Sequence, residues 1–299
     1  MFEDLSIVVL VYNRREALEH TLSQLEPIAR DGAQVIVVDN ASRDGSGEAC
    51  ARVAPWAELL TLKENLGVAG FNRGAARATR PFVLILDDDA WPEPGGLGEA
   101  LAMMRAEPGV GGVMLHRLHP RTGDYEWPFD RVTERQRHWP DMGCGNLVRA
   151  ELWHAIGGYE ERFFLYRNDT DCALKLAAAG AEVRFDPRWR VLHDSPTVRR
   201  QRPRWFRLST RNWVWMCRRH GRGAARIGAI LMGWLWAHRL AGFSVARQWQ
   251  ALRGFIEGVT RAAPPLEPGL EPDGAALARL VSLKRRYRRG RTTEPGDEG

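Results

Sequence analysis

The first 115 residues alternate short apolar runs with longer amphipathic ones. Strands are expected at Leu5–Val11, Gln34–Val38, Glu58–Leu62, Phe82–Leu86 and Val110–Leu115. Each is rich in Val, Ile or Leu and mostly apolar on both faces, as in a parallel sheet covered by helices on both sides. Helices are expected at Arg14–Leu25, Gly45–Val53, Ala69–Ala78 and Glu99–Arg105, with Asp44 capping the second. This βαβα order argues for an α/β domain.

Beyond residue 115 the pattern changes twice. Pro120, Gly123, Pro128 and Pro140 interrupt it, with Tyr125, Trp127 and Trp139 interleaved, which reads as a loop or irregular hairpin. After Gly143-Cys144-Gly145 come a short strand and helices at Ala150–Ile156 and Thr170–Ala179, the second stopped by Gly180. Strands follow near Glu182–Phe185 and Trp189–Leu192. From Pro203 the chain reads as helical and basic, ending in a helix at Ala275–Tyr287 and a tail from Gly290 expected to be disordered.

Charge divides the chain at the same place. Residues 1–194 hold 22 basic and 30 acidic residues, a net −8, whereas residues 195–299 hold 21 and 7, a net +14. Between Asp194 and Glu257 there are thirteen Arg, six Trp and no acid. On a wheel of about 100° per residue, Arg226, Arg239, Arg247 and Arg253 fall in one half. Ile227, Ile230, Leu231, Trp234, Trp249, Leu252 and Ile256 fall in the other. Such a helix suits an anionic membrane surface, or packs on the N-terminal α/β domain or a second subunit as a homo-oligomer. Nucleic acid is disfavoured, because no helix-turn-helix, zinc or RNA-binding signature accompanies the arginines.

The longest uncharged apolar stretch in this part, Ile227 to Ala237, has eleven residues, against the ~20 needed to span a bilayer. Cys50, Cys144, Cys172 and Cys217 form no C-x-x-C pair, which suggests reduced thiols and a cytoplasmic setting; the basic helices would make it peripheral on the inner face of the plasma membrane. The N-terminal apolar run follows acidic residues and has strand length, so it does not read as a signal peptide.

Candidate chemistry gathers at the carboxyl ends of the expected strands, where open α/β sheets bind ligands. Val11-Tyr12-Asn13-Arg14 ends the first strand and Asp39-Asn40 the second. No G-x-G-x-x-G follows the first strand, which disfavours a dinucleotide fold. Asn65-Leu66-Gly67 and Asn72-Arg73-Gly74 can bring backbone and amide donors to phosphates or sugar hydroxyls. The sharpest signal is Asp87-Asp88-Asp89, three adjacent carboxylates that repel unless neutralised. If the segment is extended, Asp87 and Asp89 share a face and suit Mg2+ or Mn2+ bridging a diphosphate. In Asn168-Asp169-Thr170-Asp171, Asp171 suits a helix N-terminus and Asp169 a general base. His193-Asp194 follows the last apolar strand of this half.

In order, SIVVLVYNR, VIVVDNASRDGS, ENLGVAGFNRG, LILDDDA, GCGNLVRAELWHAIGGYEERFFLYRNDTDCALKLAAAG and VLHDSP resemble an inverting glycosyltransferase of family 2, over about residues 5–195. The nearest subgroup is rhamnosyl- and galactofuranosyltransferase-like. The resemblance implies a GT-A fold, Rossmann-like, with a mainly parallel mixed sheet flanked by helices and a C-terminal helical extension. It implies a catalytic domain over 1–198, with a nucleotide-sugar half to about 115 and an acceptor half over 116–198. A basic extension would cover 199–290 and the tail 291–299.

It further implies that Val11, Asn13, Asp39, Asn65, Gly67, Asn72, Asp87 and Asp88 hold the nucleotide. Asp87, Asp89 and His193 would serve a metal and Asp169 would be the base. Trp91, Trp127, Trp139 and Tyr166 are candidates for stacking on an acceptor sugar. The implied reaction moves a sugar from a UDP- or dTDP-sugar to a hydroxyl of a glycan or lipid-linked acceptor, in bacterial cell-surface polysaccharide or glycolipid synthesis. The alternatives are a nucleotidyltransferase on a similar fold, although YNRREAL replaces its usual basic glycine loop, and a non-catalytic membrane-attached scaffold.

Overall fold

The computed structural model describes residues 1–125, 131–195 and 202–288. Trp127 and the expected disordered tail lie outside these. The first half follows the expected alternation: β1 (Leu5–Val11), α1 (Arg15–Arg30), β2 (Gln34–Asp39), α2 (Ser46–Val53), β3 (Glu58–Thr61), α3 (Ala69–Ala75), β4 (Phe82–Asp87), β5 (Ala90–Pro92), α4 (Pro94–Ala106) and β6 (Val110–Leu118). Then come β7 (Asn146–Arg149), α5 (Ala150–Ala155), α6 (Asn168–Ala178) and β8 (Glu182–His193). The last part is α7 (Pro203–His220), α8 (Gly223–Ala241), α9 (Val245–Thr260) and α10 (Gly274–Arg288).

Eight strands form one sheet in the order β3-β2-β1-β4-β7-β6-β8-β5. Strands β3, β2, β1 and β4 run parallel, β7 is antiparallel to β4 and β6, and β8 runs parallel to β6. The two strands expected between 182 and 192 are one, β8, whose pairing with β6 shifts register twice. The side chains of β1 alternate between two cores: Ile7 and Val9 pack with Leu18, Leu22 and Leu101, while Val8 packs with Phe71, Trp153 and Leu176. A sheet buried on both faces needs the apolar runs seen in the sequence.

Helix α7 is not an outlying appendage. Most of it is buried, and Trp213, Trp215 and Met216 share a core with Phe163 and Leu174. It is locked to α6 by a buried ion cluster in which Asp171 meets Arg219 at 2.9 Å and His220 at 2.8 Å. Burial would raise the Asp171 carboxyl, but the hydrogen bond from His220 and the charge of Arg219 outweigh it and hold it below its ordinary value. His220 is itself pushed down by burial, against the pull of Asp171. The single wheel drawn from Arg226 to Ile256 breaks at Gly242 into α8 and α9, a hairpin held by Trp234 against Phe255 and by Gln248 donating to the carbonyls of His238 and Gly242. No helix among the described residues is long and apolar enough to cross a membrane.

Asp171→Asn should lose about 3–5 kcal/mol, because it leaves Arg219 buried with a broken pair. Both depressed groups lose stabilisation as pH falls, His220 from its ordinary 6.5 downward and Asp171 from 3.8 downward. Without the pull of Asp171 the depression of His220 deepens, so urea midpoints measured from pH 8 to pH 4 should fall more steeply for Asp171→Asn and the gap between the two chains should widen. A constant gap across that range would contradict this account.

Candidate active site

The parallel register sets the site. Val11 lies opposite Asp39, Leu10 opposite Asp87, and Asp39 opposite Thr61, so the ends of β1, β2, β4 and β3 open on one rim. Val11 is fully buried. Asn13 takes a left-handed backbone (φ 53°), donates its N–H to Ser42 Oγ and accepts the N–H of Arg43. Asp39 accepts the N–H of Ser42, and Asp44, expected as the cap of α2, stands one residue before the actual N-cap, Gly45, and accepts the N–H of Ser46. Asn40 donates to Asn65 Oδ1 and to the Gly67 carbonyl, and accepts from the Leu66 N–H, which fixes the Asn65–Gly67 loop. Gly67 cannot be replaced there: φ is +59°, and a Cβ would stand 2.1 Å from the Phe164 carbonyl oxygen.

The acidic run departs from the extended geometry expected of it. β4 ends at Asp87 and the chain turns at Asp88–Asp89. Asp87 is the more exposed, whereas Asp88 and Asp89 are buried and both face Arg14, each at 2.7 Å. Burial and its acidic neighbours push Asp88 up to about 8 despite Arg14. Asp89 stays down at about 2, because the hydrogen bond and charge of His193, with Arg14, overcome burial. His193 Nε2 lies 3.0 Å from Asp89 Oδ1 and 3.7 Å from Asp87 Oδ2.

Among the described residues the group that can chelate a metal is Asp87, Cys144 and His193, whose ligand atoms lie within 4.8 Å of one another. Asp89, expected as a ligand, is engaged by Arg14 and, through Oδ1, by the same His193 Nε2 that faces Asp87. The donor set fits a divalent ion: one carboxylate, one imidazole and one sulfur at three converging strand ends.

Asp169 sits in the first turn of α6. Its Oδ1 accepts from the Tyr159 hydroxyl at 2.8 Å and from the side-chain amides of Asn146 and Asn168, each at 3.2 Å. Burial, with the charge of Asp87, raises it to about 7, opposed by the hydrogen bond from Tyr159. A carboxylate with that value is suited to accept a proton near neutrality. The loop before it is strained: Phe164, Tyr166 and Arg167 all have positive φ. Helix α7 holds that loop, with Asn212 donating to the carbonyls of Phe163, Leu165 and Tyr166, and Arg211 to those of Arg162 and Phe163.

Three expected ligand contacts are corrected. Asn72 donates to the Tyr159 carbonyl and accepts its N–H, so its amide ties α3 to the loop after α5 rather than facing a nucleotide. Trp91 is buried in the core, edge-on to His20. Trp139 is buried, stacked on Phe185. Neither tryptophan offers a face to a sugar. Tyr166 remains partly accessible beside Trp205. Arg14 and Asn40 fall inside candidate segments of the sequence but carry no individual role there, and Cys144, Asn146 and Tyr159 carry none. The available signals were Asn146 inside an apolar strand and a basic residue one step past the Asn13 turn.

Tyr159→Phe removes the hydrogen bond that restrains Asp169, so its titration should move above 7. Infrared titration of the carboxyl band, with Asp169→Asn as the blank, reads this directly. An unchanged midpoint would refute the role given to Tyr159.

Comparison with known proteins places this geometry. The sequence model of the family described as Glycosyl transferase family 2 matches residues 6–178. The N-acetylglucosaminyl-diphospho-decaprenol L-rhamnosyltransferase of Mycobacterium tuberculosis is 25% identical over 236 residues, 64% of this chain and 76% of its own. The mannosyltransferase PcManGT of Pyrobaculum calidifontis, solved with GDP-Man and Mn2+, has a TM-score of 0.59 at 24% identity, over 97% of this chain and 83% of its own. S. aureus TarS 1–349, solved with UDP-GlcNAc, has a TM-score of 0.63 at 16% identity, over 86% and 81%.

Proposed function

The chain belongs to glycosyl transferase family 2, with a mixed α/β sheet of GT-A type, and from that premise we propose that it moves a sugar from a UDP- or dTDP-sugar to an acceptor hydroxyl with inversion. The observation that carries this is Asp169, a carboxylate raised to about 7 beside the acidic rim. Asp169 takes the acceptor proton as the hydroxyl oxygen attacks the anomeric carbon, and the bond to the nucleoside diphosphate breaks. Tyr159, Asn146 and Asn168 aim its Oδ1. Val11, Asn13, Asp39 and the Asn65–Gly67 loop hold the nucleoside. A divalent ion, Mn2+ or Mg2+, held by Asp87 and His193, would supply charge neutralisation for the departing diphosphate. The relative whose name gives a diphospho-decaprenol acceptor supports a lipid-linked glycan here.

The α8–α9 hairpin supports a lipid surface as partner. Ile227, Leu231 and Leu235, spaced four apart on α8, are exposed, as are Val245, Trp249 and Ile256 on α9, and Phe243 between the helices is fully exposed. Arg226, Arg239 and Arg253 are exposed on the same hairpin. Apolar side chains with basic neighbours complement an anionic bilayer.

Two measurements test these readings. Asp169→Asn should bind donor normally while turnover falls roughly 10²–10⁴-fold, and proton NMR of the wild-type product should show the opposite anomeric configuration to the donor. Full activity in the variant, or retention of configuration, removes the mechanism. The chain should sediment with phosphatidylglycerol vesicles at low salt and release at high salt, and Phe243→Ser should weaken this. Failure to sediment, or a mass that rises with concentration in the absence of vesicles, assigns the apolar face to a second copy instead.

A further inference from the structure

Cys144 is a residue of the rim that the proposed reaction does not use. Gly145, with φ +87°, donates its N–H to the Ile85 carbonyl, and its own carbonyl accepts from Leu115. The chain is thereby laid against the end of β4 just where Cys144 precedes β7. A Cβ at Gly145 would press on Val191 at 2.9 Å, so the turn that presents the thiol depends on glycine. Asp87 N–H points at Cys144 Sγ, 3.5 Å away. His193 arrives from the other side, at the end of β8, where it pairs with Ala90 of β5. Three strand ends thus converge with one sulfur, one nitrogen and one oxygen atom inside 4.8 Å.

That spacing is somewhat wider than in a loaded metal centre, and His193 Nε2 would exchange its contact with Asp89 Oδ1 for the ion. Ligands about 2.0–2.3 Å from one tetrahedral ion stand roughly 3.5 Å apart, and His193 Nε2 and Asp87 Oδ2 are already 3.7 Å apart. The character of the sulfur decides which ion. Mg2+ demands hard oxygen ligands, whereas a thiolate suits softer ions, with Zn2+ above Co2+ and Mn2+. The half-buried thiol is reachable, whereas Cys50, Cys172 and Cys217 are buried elsewhere.

We propose that Cys144 is the third protein ligand of the divalent centre formed with Asp87 and His193, and that it tunes the centre toward thiophilic ions over Mg2+. This rests on the metal-dependent reading above and names a ligand that reading does not require. The thiol gives up its proton on coordination, so binding releases one proton to solvent. Cys144 is a ligand of the ion and takes no part in bond making at the sugar.

Co2+ alone, titrated into the full chain, is the test. The wild type should develop a sulfur-to-cobalt charge-transfer band in the near ultraviolet. Cys144→Ser, which is nearly isosteric, should lack the band. Its Co2+ affinity should fall at least as much as the ~10–100-fold seen on losing an outer-shell partner, and its preference for Mn2+ over Mg2+, read by calorimetry, should shrink. A band that survives in Cys144→Ser overturns the proposal. So does a wild type that binds Mn2+ by electron paramagnetic resonance but shows no band with Co2+; the Asp87–His193 centre then stands without its sulfur. Absence of Mn2+ and Co2+ binding in both chains overturns the metal reading itself, and the cysteine ligand with it.

Discussion

Three carboxylates at the end of one buried strand are the constraint around which the site is arranged. Adjacent Asp87, Asp88 and Asp89 cannot all ionise in a low-dielectric corner without a counter-charge. Arg14 meets two of them, and it reaches them only because β1 and β4 are parallel neighbours whose ends coincide. Thr21 on α1 donates to the Asp88 carbonyl and fixes the turn. With Asp88 and Asp89 neutralised behind, Asp87 is the one left facing the rim. The division of labour inside the acidic run is therefore made by the neighbouring strand and not by the run.

The parallel half was legible because its physics is local. Apolar runs of strand length separated by amphipathic helices leave few arrangements, and β1 and α2 fall within a residue of their expected bounds. The positions of Asp39, Asp87 and Asp169 at the rim were legible for a related reason: they directly follow buried strands or open a helix. The individual jobs were less so. Asp87 and Asp89 were read as a pair from the alternation of an extended chain, and the turn at Asp88–Asp89 cancels that alternation. Trp91 and Trp139 are candidate sugar platforms under the family resemblance, yet long-range packing against His20 and Phe185 buries both. Asn72 shows the same limit, since Tyr159, its partner, is 87 residues away.

The basic C-terminal part contains two kinds of arginine that composition does not distinguish. Arg211 and Arg219 are buried, with their terminal guanidinium nitrogens bound to carbonyls and carboxylates. Arg226, Arg239 and Arg253 are exposed on the hairpin. The first kind belongs to the folding of the loop before Asp169 and only the second to the outer surface. A net charge of +14 therefore overstates the field that a partner of this region would meet.

The clamp of α7 on the loop before Asp169 has a consequence for inheritance. The stretch shared with the family ends at residue 178, yet three backbone carbonyls of that loop are satisfied by Asn212 and the charge of Asp171 by Arg219 and His220. Recombination that joined this sheet to a foreign C-terminal segment would import a strained loop without its support. The smallest exchangeable unit is therefore set by hydrogen bonds and not by sequence similarity, and it extends through His220.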